Sequence, residues 1–163
     1  MRRMLAKELL IELMKNSKES DRKIARKLRV SQPTITRTRN KIEREGLIRN
    51  YSIIPNWSKL GCELMVMTFV KMRPEVVSDE LFKKLQEYAI AFQNVIFASR
   101  GHGLGMTGVI LSIHKDYRDY AIKLGKFRKD WAKYLEDTQS FLMVTDEGVI
   151  KELSFTSLGQ SLR

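Results

Sequence analysis

Two short helical patterns separated by only two residues constrain this chain more than any other feature. Ser20 offers an N-cap hydroxyl ahead of DRKIARKL, in which Ile24, Ala25 and Leu28 recur at helical spacing. Arg29 and Val30 follow, and Ser31 then caps SQPTITRTRNKIEREG (31–46), with Pro33 in the first turn and Gly46 just past the end. So tight a corner between two amphipathic helices is the plan of a helix-turn-helix. A helix over residues 3–15, with Leu5, Leu9, Leu10, Leu13 and Met14 on one face, supplies the third wall of a small core.

At about 100° per residue, Ile35 and Ile42 of the 31–46 helix face inward. Pro33, Arg37, Asn40 and Arg44 then face outward, flanked by Thr36 and Lys41. In a helix-turn-helix the start of this second helix meets base edges in the major groove, which brings in Ser31, Gln32 and Thr34 as well. Arg grips guanine O6 and N7 with two donors, and Asn pairs both ways with adenine. Arg39 lies close to the direction of Ile35; if it packs at the core edge, Arg39→Leu raises stability.

Charge points the same way. Residues 1–50 hold 15 Lys and Arg against 6 Asp and Glu, whereas the remainder holds 15 against 13. A basic first third joined to a nearly neutral remainder is the footprint of a polyanion-binding module attached to a second module with another task. A lone cysteine, Cys62, excludes an intramolecular disulfide framework, and no apolar run approaches the roughly 18 residues of a membrane span. Lys7, Glu8 and Glu12 interrupt any signal-like stretch, so a cytoplasmic protein is expected, without membrane association.

IARKLRVSQPTITRTRNKIEREGLIRNY and the following WSKLG resemble the helix-turn-helix and hinge of the Lrp/AsnC, or feast/famine, transcriptional regulators. The resemblance covers about residues 3–61 and is most specific in VSQPTI and IEREGLI. There are two departures: Arg29 stands where the family often has Gly, and Arg39 where it usually has an aliphatic residue facing the core.

After Gly46, LIRNYSIIP reads as a strand ended by Pro55, a wing or tether, with Trp57 packed at the hinge. Strand patterns then occupy 62–72, 94–100, 106–115 and 138–145, with helical stripes at 79–92 and 116–135. The order βαββαβ is that of a ferredoxin-like antiparallel sandwich, which is also the plan that the resemblance implies for a regulatory domain. The expected class is α+β, with a helix-turn-helix domain at 1–50, a linker at 51–61, a dimerisation and effector-sensing domain at 62–150 and a tail at 151–163. Both faces of the strands are apolar. Leu64, Val66 and Val70 oppose Met65, Met67 and Phe69, so a second subunit is expected to cover the face without helices, giving a homodimer or higher homo-oligomer.

Gly103 to Gly108 matches G-x-G-x-x-G, but it leads into a β-rich run rather than the helix that a dinucleotide site needs, and a hairpin is expected. In the family resembled, this hairpin region helps form an effector pocket between subunits, with small residues and an acidic group. The resemblance therefore marks Arg100, Gly101, Gly103 and Gly105 for a small-molecule effector. No Asp or Glu lies between Arg100 and His114, so the group that would take an α-ammonium is missing. His102 and His114 read as surface or hairpin histidines; no metal-ligand spacing, cofactor motif or catalytic constellation is present. The expected function is a regulator that reads a pseudo-palindromic operator on double-stranded DNA. The alternatives are an architectural DNA-binding protein of low specificity and, from another branch of this resemblance, a sirohaem-decarboxylase-like enzyme.

Overall fold

The computed structural model describes residues 2–76 and 78–162; Met1, Val77 and Arg163, which the expected domain boundaries take in, lie outside the described residues. In chain order the helices are α1 (Arg2–Lys15), α2 (Asp21–Leu28), α3 (Gln32–Arg44), α4 (Asp79–Ala91), α5 (Tyr117–Asp130) and α6 (Thr156–Ser161). The strands are β1 (Leu64–Met72), β2 (Val95–Gly103), β3 (Met106–His114) and β4 (Leu135–Val144). The chain divides into two compact units, Met1–Ile54 with Lys151–Arg163, and Pro55–Ile150.

In the first unit, Leu9, Leu13, Ile24, Ala25, Ile35 and Ile42 form one core beneath α1, α2 and α3. Ser20 and Ser31 cap α2 and α3 by accepting from the backbone amides of Lys23 and Thr34. The exit from α3 is a Schellman turn. Gly46, at φ 71°, donates to the Glu43 carbonyl and Leu47 donates to that of Ile42. The exit from α2 has the same hydrogen bonds, Val30 to Ala25 and Arg29 to Arg26, but its left-handed residue is Arg29, at φ 55°.

The second unit is a four-stranded antiparallel sheet in the order β2-β3-β1-β4, with α4 and α5 on one face. The core there joins Val70, Met72 and Leu135 of the sheet to Leu81, Phe127 and Trp131. On the opposite face, one register row runs Phe97, Leu111, Met67, Phe141 across all four strands. Phe97 and Phe141 are 54% and 63% exposed, so this face is apolar and open in the single chain.

Several expectations are corrected. The LIRNYSIIP segment is not a strand: residues 47–55 are irregular, and β-branched residues form a strand only against a partner, which no described strand supplies. The β2–β3 connection is a two-residue turn, Leu104-Gly105, both with positive φ, and the first glycines of GHGLG belong to β2. The helix expected to reach residue 135 stops at Asp130, and Leu135 opens β4. Residues 156–161 are helical rather than a plain tail, and Gly159 sits against Ile11 of α1. His114 is 4% exposed, an interior residue and not a surface one.

A left-handed conformation costs an L-residue with a side chain about 1 kcal/mol relative to glycine. Arg29→Gly is therefore expected to stabilise the helix-turn-helix by about 0.5–1 kcal/mol, read as a higher urea midpoint of its helical signal.

Candidate functional site

The outward face of α3 carries the residues marked for DNA. Ile35 and Ile42 are fully buried, and this fixes the roll of the helix so that Gln32, Pro33, Arg37, Asn40, Lys41 and Arg44 are exposed. Among the described residues none bonds to the side chains of Arg37, Asn40 or Arg44, whereas Lys41 lies 3.6 Å from Glu45 one turn on. At the start of the helix, the Ser31 and Thr34 hydroxyls share a hydrogen bond of 2.8 Å. Thr36 is turned toward α2, donating its hydroxyl to Asp21 Oδ2 at 2.7 Å. The structure thus brings Arg37, Asn40 and Arg44 together as free donors, and gives Ser31, Thr34 and Thr36 local partners.

Arg39 belongs to neither group. Its Nε donates to Asp21 Oδ1 at 2.7 Å, its Nη2 to the Glu19 carbonyl at 3.3 Å, and its Nη1 lies 3.5 Å from the Tyr51 hydroxyl. Tyr51 in turn donates to Glu43 Oε1 at 2.6 Å, and burial together with that carboxylate pushes its phenol up, keeping it protonated. This network ties α3 to the start of α2 and to the segment after α3. Sequence reading missed it. The only available sign was Asp21 in the first turn of α2, which reads equally well as a helix-dipole residue.

In the second unit a groove of about 840 Å³ lies between α4 and the β2–β3 side of the sheet. Of the four residues marked for an effector, only Arg100 lines it, with its guanidinium 3.4 Å from the centre of the Phe82 ring. Gly101, Gly103 and Gly105 do not. The inner end of the groove is polar. His114 Nε2 is 2.8 Å from Ser112 Oγ and Nδ1 is 3.2 Å from Asp119 Oδ2, with Asn94 at 3.5 Å and the Tyr120 ring set edge-on. Burial outweighs Asp119 and moves the His114 pKa below its ordinary 6.5, so the ring is neutral at pH 7, with Nδ1–H donating to Asp119 and Nε2 accepting from Ser112. Asp119 also accepts from Lys123 at 2.9 Å; although burial opposes it, this pairing holds its carboxyl below the ordinary value. No group of three potential metal ligands occurs among the described residues, and no described helix is long and apolar enough to cross a membrane.

No protein-family model matches the chain. A relative from Pyrococcus horikoshii, the HTH-type transcriptional regulator LrpA, is 31% identical over 121 residues, covering 73% of this chain and 84% of its own length. The chain belongs to the Lrp/AsnC family of transcriptional regulators. LrpA of Pyrococcus abyssi is 30% identical over the same length, 74% of this chain and 84% of its own. Solved structures share the fold. An AsnC family regulator from Agrobacterium tumefaciens is 21% identical with a TM-score of 0.74, covering 94% of this chain and 97% of that one. A Neisseria meningitidis transcriptional regulator solved with L-Met is 13% identical with a TM-score of 0.74, covering 94% and 96%. In this Lrp/AsnC chain the position of Arg39, usually aliphatic by resemblance, is an ion-pair strut.

Two outcomes follow. Because Arg39 and Asp21 are only 17% and 19% exposed, Arg39→Leu leaves a half-buried carboxylate without its cation; it is expected to destabilise the first unit by about 1–3 kcal/mol in urea titration, not to stabilise it. The depressed His114 pKa means that the unfolded chain takes up the proton first. Stability from this group is present above about pH 6.5 and is lost as pH falls toward and through the folded value. His114→Gln is expected to flatten that fall below about pH 6.5, measured by urea denaturation of the full chain across pH.

Proposed function

We propose that the chain is a sequence-specific DNA-binding regulator that reads a pseudo-palindromic operator on double-stranded DNA as a homodimer, in the cytoplasm. The observation that carries this reading is the row of unpaired donors on α3: Arg37 and Asn40 in the part of the helix that enters a major groove, and Arg44 a turn later. Their chemistry suits guanine and adenine edges, and the positive excess of residues 1–50 supplies phosphate affinity. Transcriptional regulators at about 30% identity support the same assignment.

Dimerisation rests on the open sheet face. The row Phe97, Leu111, Met67, Phe141, with Met65 and Phe69 beside it, is an apolar surface of a kind that soluble monomers rarely leave contiguous. A second copy of the same face would cover it and would present two α3 helices, with half-sites about 10 bp apart or a multiple of that. The small-molecule part of the reading draws on the Neisseria relative solved with L-Met and on the groove beside Arg100.

Binding isotherms on a selected operator and on random duplex, at several salt concentrations, test the reading. Arg37→Ala is expected to cost roughly 1–3 kcal/mol on the operator and to relax the preference at one base pair. Lys41→Ala is expected to weaken both duplexes alike and to reduce the salt slope by about one. Equal loss on both duplexes for the two variants, with no operator preference in the parent chain, is the outcome of an architectural protein instead. Sedimentation of the full chain reports the dimer, and Met67→Asp is expected to shift it toward monomer.

A further inference from the structure

The groove beside α4 is too large to be a packing defect. It is open to solvent on one side, and its volume of about 840 Å³ falls in the range of small-molecule sites. Its origin is visible in the register. The helix-side row Ala98, Ile110, Thr68, Ser140 should lie under helix along its whole length, yet the buried cluster gathers around Val70, Met72, Leu81, Phe127, Trp131 and Leu135. Thr68 is 5% exposed, whereas Ala98, at the β2 end of the same row, is exposed although it faces the helices. An alanine there, with Gly108 beside Arg100 on the next row, leaves the space that larger side chains would fill.

The charge of this space is one-sided. Arg100, Lys123 and the two histidines line it, and no Asp or Glu does. Lys123 is paired with Asp119, but no described residue accepts a hydrogen bond from the Arg100 side chain. Its guanidinium carbon lies 3.4 Å from the centre of the Phe82 ring, a cation–π contact that holds the group beside α4. A guanidinium without a protein acceptor is suited to a carboxylate held by two parallel hydrogen bonds. Next to it the walls are apolar: Phe82, Leu85 and Ala89 of α4 against Ala98 and Ile110 of the sheet.

We propose that this groove binds an amphipathic carboxylic acid, with the carboxylate on Arg100 and an apolar chain or ring over Ala98 and Ile110 against α4. The site lies within one subunit, and the acid at its inner end, Asp119, is already paired with Lys123 and His114, so a free amino acid fits it poorly. The proposal rests on the effector-sensing part of the reading above and gives it a ligand class.

The test is calorimetric titration and thermal unfolding of the full chain with octanoate, 4-phenylbutyrate, octylamine and L-methionine, alongside operator binding on the same samples. The two acids are expected to bind saturably at one per chain and to raise the midpoint, while octylamine and L-methionine do not. Arg100→Gln is expected to weaken the acids at least tenfold, and Arg100→Lys to recover part of that loss. Ala98→Phe fills the groove and is expected to abolish binding; retained acid binding in both Ala98→Phe and Arg100→Gln overturns the location. Absence of saturable acid binding, or equal binding of octylamine, overturns the ligand class. Intact operator binding beside absent acid binding removes this site alone, whereas lost operator preference beside saturable acid binding removes the regulator reading and leaves the site.

Discussion

One carboxylate sets the angle between the two helices that matter most. Asp21 accepts from Thr36 with one oxygen and from Arg39 with the other, so the start of α2 is bonded to the middle of α3 through both lone-pair edges. Ile35 and Ile42 fix the roll of α3, but apolar contacts are non-directional and tolerate tilt. The directional bonds to Asp21 remove that tolerance. The free donors of α3 can then be held at a constant height above the core, as the proposed reading of base edges requires.

The second unit is arranged differently. Its sheet has one face under α4 and α5, and another face on which Phe97 and Phe141 are exposed. The two faces therefore suit partners of different size. A flat row of aromatic and methionine side chains fits another flat face, whereas the recess beside the outer strand β2 fits something small. At the turn of the β2–β3 hairpin, Leu104 is left-handed and 82% exposed, so the tip of the hairpin is held by its backbone geometry and not by packing.

Local signals in the sequence carried the helices well. Ser20, Ser31, Pro33 and Gly46 each do in the structure what their types imply, because caps and first-turn prolines act within a few residues. The βαββαβ order was legible for the same reason: each element has its own periodicity. What the sequence hid depended on partners distant along the chain. LIRNYSIIP has strand composition but no strand beside it; Arg39 was placed by angle near the core, and only Asp21, eighteen residues earlier, turns it into a strut. His114 looked ordinary until Ser112, Asp119 and Tyr120 surrounded it. In α1 the stripe through Leu9 and Leu13 was visible, whereas the burial of Ile11 was not, since its cover comes from residue 159. The outward face of α3 was readable from angle alone, and the groove beside Arg100 was not, because a void has no residue of its own.

The contact between Gly159 and Ile11 also bears on the order in which the protein comes into being. Its first unit is discontinuous, made from residues on either side of the contiguous second unit. On the ribosome, α1 emerges before the sheet unit, and the segment that covers Ile11 follows roughly a hundred residues after Ile54, an interval of about 5–20 s at ordinary elongation rates. At the end of that interval the sheet unit has all of its chain and is free to fold, while Ile11 of the helix-turn-helix unit still lacks its cover. Birth order and closing order are therefore reversed: of the two units, the one begun earlier is the later to be completed.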